Sequence, residues 1–106
     1  MTDRELLEMA AKAAGVEITW ALMGDTYAAW LPNELLWSPL NDDGDALRLA
    51  VKLNLSMDLF DKEILVGYTT KSNQCDQVTE TCSNDPYAAT RRAIVRAAAE
   101  IGKNLK

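Results

Sequence analysis

The segment Asp85–Lys103, "DPYAATRRAIVRAAAEIGK", reads as one long helix, the last element of an alternating series of helices and strands. Asp85 suits the N-cap, because its carboxylate can accept from backbone N–H groups that the first turn leaves unpaired. Pro86 follows at the first helical position, where a missing N–H does no harm. The helix is predicted to run to about Gly102. Tyr87, Ile94, Ala98 and Ile101 mark its buried face. Arg92, Arg96, Glu100 and Lys103 follow one another on an outer face, with Arg91 at its flank. That charged stripe is either a solvated surface or a site for an anion or an acidic partner, since guanidinium forks hold phosphate and carboxylate well. The run "RAAAE" allows close approach by a sheet, a second helix or another copy of the chain, so a homodimer is one expectation.

Upstream, "TDRE" at Thr2–Glu5 is a capping box, in which Thr2 bonds the backbone of Glu5 and Glu5 reaches back to Thr2. Leu6, Ala10, Ala13 and Ala14, with Leu7 adjoining, form an apolar stripe, and Gly15 sits where a helix ends. A first helix is therefore predicted over Asp3–Ala14. In "VEITWALMGDTYAAWLP", Val16, Ile18 and Trp20 alternate with Glu17 and Thr19, the period of a half-buried strand. Gly24-Asp25 is a turn and "TYAAWL" a second strand, which makes a hairpin. Pro32 and Pro39 bracket an irregular connection with room for one strand-like stretch. Trp20, Trp30 and Trp37 are expected to fill the core under the hairpin. The alternative is a recognition surface, for which Trp37, in the connection, is expected to be the most exposed.

The stretch "NDDGDALRLAVKL" (Asn41–Leu53) packs three aspartates around one glycine. With Asp42 at the N-cap, Asp43, Gly44 and Asp45 become the first three helical positions. Asp42 and Asp45 then stand in the two places of an acidic capping arrangement. All three carboxylates lie near the positive end of the helix dipole, each contributing ~0.3–1 kcal/mol. Ala46, Leu49, Ala50 and Leu53 follow helical spacing, Leu47 and Val51 widen the face, and Arg48 and Lys52 point outward. A calcium loop fails on spacing, because the twelfth position counted from Asn41 is Lys52 and from Asp42 is Leu53 rather than glutamate. A looser magnesium site on Asp42, Asp43 and Asp45, serving a hydrolase, is the competing reading.

Three further strands are read from "NLSMDLFD", "EILVGYTT" and "QCDQVTETCS", with Asp61-Lys62-Glu63 turning the first into the second. The third is rich in threonine and charge, which suits an edge strand. From Leu55 to Asn84 there are five acids and two bases, so this sheet edge is acidic. Cys75 and Cys82 are read as reduced thiols, with a bridge across a hairpin as the minority alternative.

The whole is one domain of 106 residues with order α-β-β-α-β-β-β-α, an α+β fold with three helices on a mainly antiparallel sheet. Net charge is −5, concentrated in residues 1–53, and this argues against sequence-independent binding to duplex DNA. The absence of histidine removes Ser-His-Asp and Cys-His nucleophile systems and imidazole metal sites. No segment approaches the ~18 apolar residues of a membrane helix, and the acidic start "MTDRELLEMAAKAAG" does not resemble a secretion signal. No cofactor is called for.

"WSPLNDDGDALRLAVKL" and "DPYAATRRAIVRAAAEIGK" resemble a group of small phage and prophage proteins of the phage ABA-sandwich domain type, and more loosely the NinX-like proteins of lambdoid phages. The resemblance covers the three helices and implies an α-β-α sandwich and an accessory role in the cytoplasm of an infected bacterium. It brings no catalytic residues. The expected function is non-catalytic binding of a host protein, for instance to inhibit a defence system in the manner of an anti-CRISPR protein. Trp37, Asp58, Glu80, Arg92 and Arg96 are the expected contact residues. A nucleotide-signal sponge built on Arg91, Arg92 and Arg96 is the second expectation, and the metal-dependent hydrolase the third.

Overall fold

A computed structural model describes residues 2–82 and 84–105. Its elements are α1 (Asp3–Ala14), β1 (Thr19–Met23), β2 (Thr26–Trp30), α2 (Asp43–Lys52), β3 (Ser56–Leu59), β4 (Glu63–Thr69), β5 (Cys75–Thr81) and α3 (Pro86–Lys103). The α+β class and the order of elements are those expected.

α3 is the element that the others share. It packs against α1, α2, β4 and β5. Its buried residues, Ala93, Ile94, Val95, Ala97, Ala98, Ala99, Ile101 and Gly102, extend well beyond a single stripe, because both α1 and the sheet lie against it. α1 contributes Leu6, Ala10, Ala11 and Ala14. With alanine on both sides the two backbones come very close, and a Cβ added at Gly102 would overlap the carbonyl of Met9. The alanines expected to serve a sheet, a helix or a second copy are thus occupied inside the chain.

The caps form as read. Thr2 and Glu5 exchange both bonds of the capping box, and Asp85 accepts from the N–H groups of Tyr87 and Ala88. Gly15 ends α1 in the left-handed region at φ 69°. The Val16 N–H then bonds back to the Ala11 carbonyl, a Schellman closure. That bond commits Val16 to the helix cap, which is why β1 begins at Thr19 rather than at Val16. Gly24, at φ 65°, takes the position that primed hairpin turns give to glycine. Arg4 lies 4.6 Å from the centroid of the Trp20 ring and ties the hairpin to α1.

The single expected sheet is divided in two, a β1-β2 hairpin and a three-stranded antiparallel sheet ordered β3-β4-β5. Ile64, Val66 and Tyr68 of β4 are buried towards α3. Directly paired residues share a face, so Met57 (opposite Val66), Leu59 (opposite Ile64) and Val78 (opposite Val66) point the same way. The other face carries exposed Ser56, Asp58, Glu63, Thr79 and Thr81. The helices lie on one face of this sheet, so the layering is helix on helix on sheet rather than sheet between helices.

Three burial expectations are corrected. Trp37 is buried at 7% exposure, because its N–H bonds to the Ala29 carbonyl and lays the connection alongside β2, where Trp30 and Leu36 form a single bridge. Leu47 and Val51 do not widen the core face of α2, which buries only Ala46, Leu49 and Ala50. Tyr87 is 69% exposed, since it stands in the first turn of α3, ahead of that helix's buried run.

The α1–α3 contact makes a sharp prediction. Gly102→Ala adds one methyl group where the Met9 backbone already stands, so it is expected to destabilise by ~1–3 kcal/mol or more despite alanine's better helix propensity. Thermal melting checks this, and a melting temperature equal to or above the wild-type value would contradict the contact.

Candidate functional site

The acidic knot has three carboxylates with three separate tasks. Asp42 Oδ2 accepts from the Asp45 N–H at 2.8 Å and caps α2. Asp45 does not return the bond to Asp42. It turns outward from the helix, accepts from the Ser38 N–H at 2.9 Å and pairs with Arg48 at 2.6 Å. Asp43 pairs with Arg91 at 2.6 Å, while Arg91 Nε donates to the Leu40 carbonyl. These bonds fix the chain before α2 to both helices. Among the described residues no group of three or more Asp, Glu or Cys side chains is placed to share a metal ion.

The arginines expected to bind a partner or an anion are each engaged with an acid. Arg92 pairs with Asp3 at 3.1 Å. Arg96 pairs with Glu80 at 2.6 Å and donates to the Thr79 carbonyl. Arg92 and Arg96 do meet with Lys103 in a shallow hollow of about 330 Å³ between α1, β5 and α3. Glu80 and Glu100 line the same hollow and Asp3 adjoins it, so three cations face three carboxylates and no positive field is left over. Arg91 lies elsewhere, on the α2 side. Of the expected contact residues, Trp37 is in the core, Glu80 and Arg96 hold each other, and Asp58 stands exposed on β3.

The side chains whose titration is displaced are explained locally. The Thr2 backbone and hydroxyl hold the Glu5 carboxyl below its ordinary value. The Asp45 carboxylate pushes Arg48 upward. Burial, then Asp76 and Glu100, push the Tyr68 hydroxyl upward. They sit on three separate elements and do not converge on one cleft, as catalytic groups would. Cys75 and Cys82 are free thiols at opposite ends of β5, roughly 23 Å apart at ~3.3 Å per residue, too far for a bridge.

What the surface does offer is apolar. A groove of about 520 Å³ opens between α2 and α3 above the β3 side of the sheet. Ala46, Leu47, Met57, Leu59, Phe60, Ile64, Pro86, Tyr87 and Ile94 line it. Its polar members are Thr90 and the Asp43–Arg91 pair, already satisfied. Leu47, Leu59, Phe60 and Tyr87 are each more than half exposed, and Met57 is 38% exposed. Single exposed apolar side chains are ordinary, but five converging in one concavity are the usual mark of an interaction surface.

Sequence reasoning placed Leu47 and Tyr87 on the apolar faces of their helices and took those faces to be covered. The available signal was the width of the apolar arc on α2, broader than its contact with one helix can bury. A scan against protein-family models and searches of the curated proteins and of the solved structures return no match to this chain.

The two capping aspartates should behave differently. Asp42→Ala is expected to cost about 1 kcal/mol as an ordinary cap. Asp45→Ala strands a half-buried Ser38 N–H as well as losing Arg48, and is expected to cost about 2 kcal/mol. Asp45→Asn should recover part of that loss. Chemical denaturation of the three variants measures the ranking, and equal costs would remove the Ser38 bond from the account.

Proposed function

We propose that this chain is a phage-encoded accessory protein that binds a host protein without catalysis, through the groove between α2, β3 and α3. The observation that carries the reading is the convergence of Leu47, Met57, Leu59, Phe60 and Tyr87 in a concavity that stays open among the described residues. Taking such a side chain from full exposure to full burial is worth roughly 1.5–3 kcal/mol, and these five are between 38% and 69% exposed, so completing their burial represents roughly 4–9 kcal/mol in gross terms. Association itself costs ~4–15 kcal/mol. The groove is therefore of the right order to hold a protein partner, provided the partner adds some polar contacts.

The phage origin and the setting in the host cytoplasm rest on the resemblance of the α2 and α3 segments. Inhibition of a host defence system is the task this reading assigns. Among the described residues no helix is long and apolar enough to cross a membrane. A nucleotide sponge has less support, because Arg92 and Arg96 already face matching carboxylates. A hydrolase has less support again, because Asp42 and Asp45 are engaged with Arg48 and the start of α2 while Asp43 is engaged with Arg91.

The test is affinity purification from the bacterial host with wild-type protein, Leu59→Lys and Val51→Lys. Val51 is exposed but lies outside the groove, so it controls for a charge placed on an apolar surface. A stoichiometric host protein retained by wild type and Val51→Lys but lost by Leu59→Lys, at unchanged melting temperature, is the expected result. Retention that survives Leu59→Lys would move the contact away from the groove.

A further inference from the structure

We infer that the occupant of this groove is an extended segment of the partner that adds to the free edge of β3, with alternating apolar and basic residues. This rests on the groove reading above. β3 is an edge strand, hydrogen-bonded to β4 on one side, and all four of its residues are exposed. Its outer N–H and C=O groups run along the margin of the apolar concavity. A helix laid across that margin would take those groups out of water without pairing them, which is unfavourable. A strand pairs them, and supplies the polar contacts that apolar burial alone leaves wanting.

The two faces of β3 set the chemistry of that strand. Met57 and Leu59 point into the groove, while Ser56 and Asp58 point to the open face of the sheet. On the open face Asp58 is joined by Glu63, the diagonal neighbour across β4, and neither strand places a lysine or arginine there. Residues of an added strand alternate in the same way. Those facing the groove meet Leu47, Leu59 and Phe60 and are apolar. Those facing the open side lie beside Asp58, with the charge of Glu63 one strand further in, and are lysine or arginine. The same charges oppose the obvious competitor, since two copies of β3 paired edge to edge would bring Asp58 of one beside Asp58 of the other.

The experiment selects displayed random peptides, long enough to pair along all of β3, on wild-type protein and on Leu59→Lys. The expected product is a set enriched on wild type alone, with apolar and basic residues alternating at period two. With an enriched peptide bound, the β3 amides become protected from hydrogen exchange, and Asp58→Lys weakens its affinity about fivefold. Enriched peptides with apolar residues at helical spacing and no new protection in β3 would overturn the strand inference and leave the groove reading standing. Equal or no enrichment on wild type and Leu59→Lys would overturn both. Protection of β3 that grows with protein concentration in the absence of peptide would identify a second copy as the occupant and overturn the inference.

Discussion

The fold depends on how closely α1 and α3 can approach. Alanine fills both sides of that contact, and at Gly102 even a methyl group has no room beside the Met9 carbonyl. Small side chains bury little area each, so the contact holds by the density of many short-range attractions rather than by a few large anchors. Because α1 covers one side of α3, the other side is free to receive β4 and β5, and Ile64, Val66 and Val78 are buried there. The core is complete once that stack is made. Nothing in it requires the residues at the outer margin of α2 and β3.

This economy explains which charges are structural. The chain is acidic, yet the acids nearest its helix ends are the ones with definite partners: Glu5 with Thr2, Asp42 with the start of α2, Asp43 with Arg91, and Asp85 with the start of α3. Arg91, Arg92 and Arg96 are drawn inward by Asp43, Asp3 and Glu80. Exposed pairs of this kind contribute little individually. Their effect is on position: Asp43–Arg91 and Arg91 to the Leu40 carbonyl tie the start of α2 and the chain before it to α3 at one wall of the groove.

The helices and their caps were legible in the sequence, because a cap is a local device read from three or four adjacent residues. The hairpin turn at Gly24 was legible for the same reason. The separation of the sheet into two was not, since whether β2 meets β3 depends on the Leu31–Leu40 connection, which folds back so that Trp37 bonds to Ala29. Nor was the pairing of the arginines, whose partners Asp3, Asp43 and Glu80 lie far away along the chain. Trp37 lies in the core as the first reading of the tryptophans had it, and the alternative that made it the most exposed fails because the loop supplies an extra rung beside a strand.

The groove was partly visible in a way that periodicity cannot resolve. A hydrophobic pattern states which way a side chain points, and Met57 and Leu59 do point to the helix side of the sheet. It does not state whether another element arrives to cover it. In this chain the alternation of β3 and the wide apolar arc of α2 both call for a neighbour, and the topology supplies none, because β3 is last in its sheet. The described elements therefore carry more inward-facing apolar residues at this margin than they bury among themselves. What the fold leaves at that place is a strand edge with an apolar face towards the groove and Asp58 on its open face.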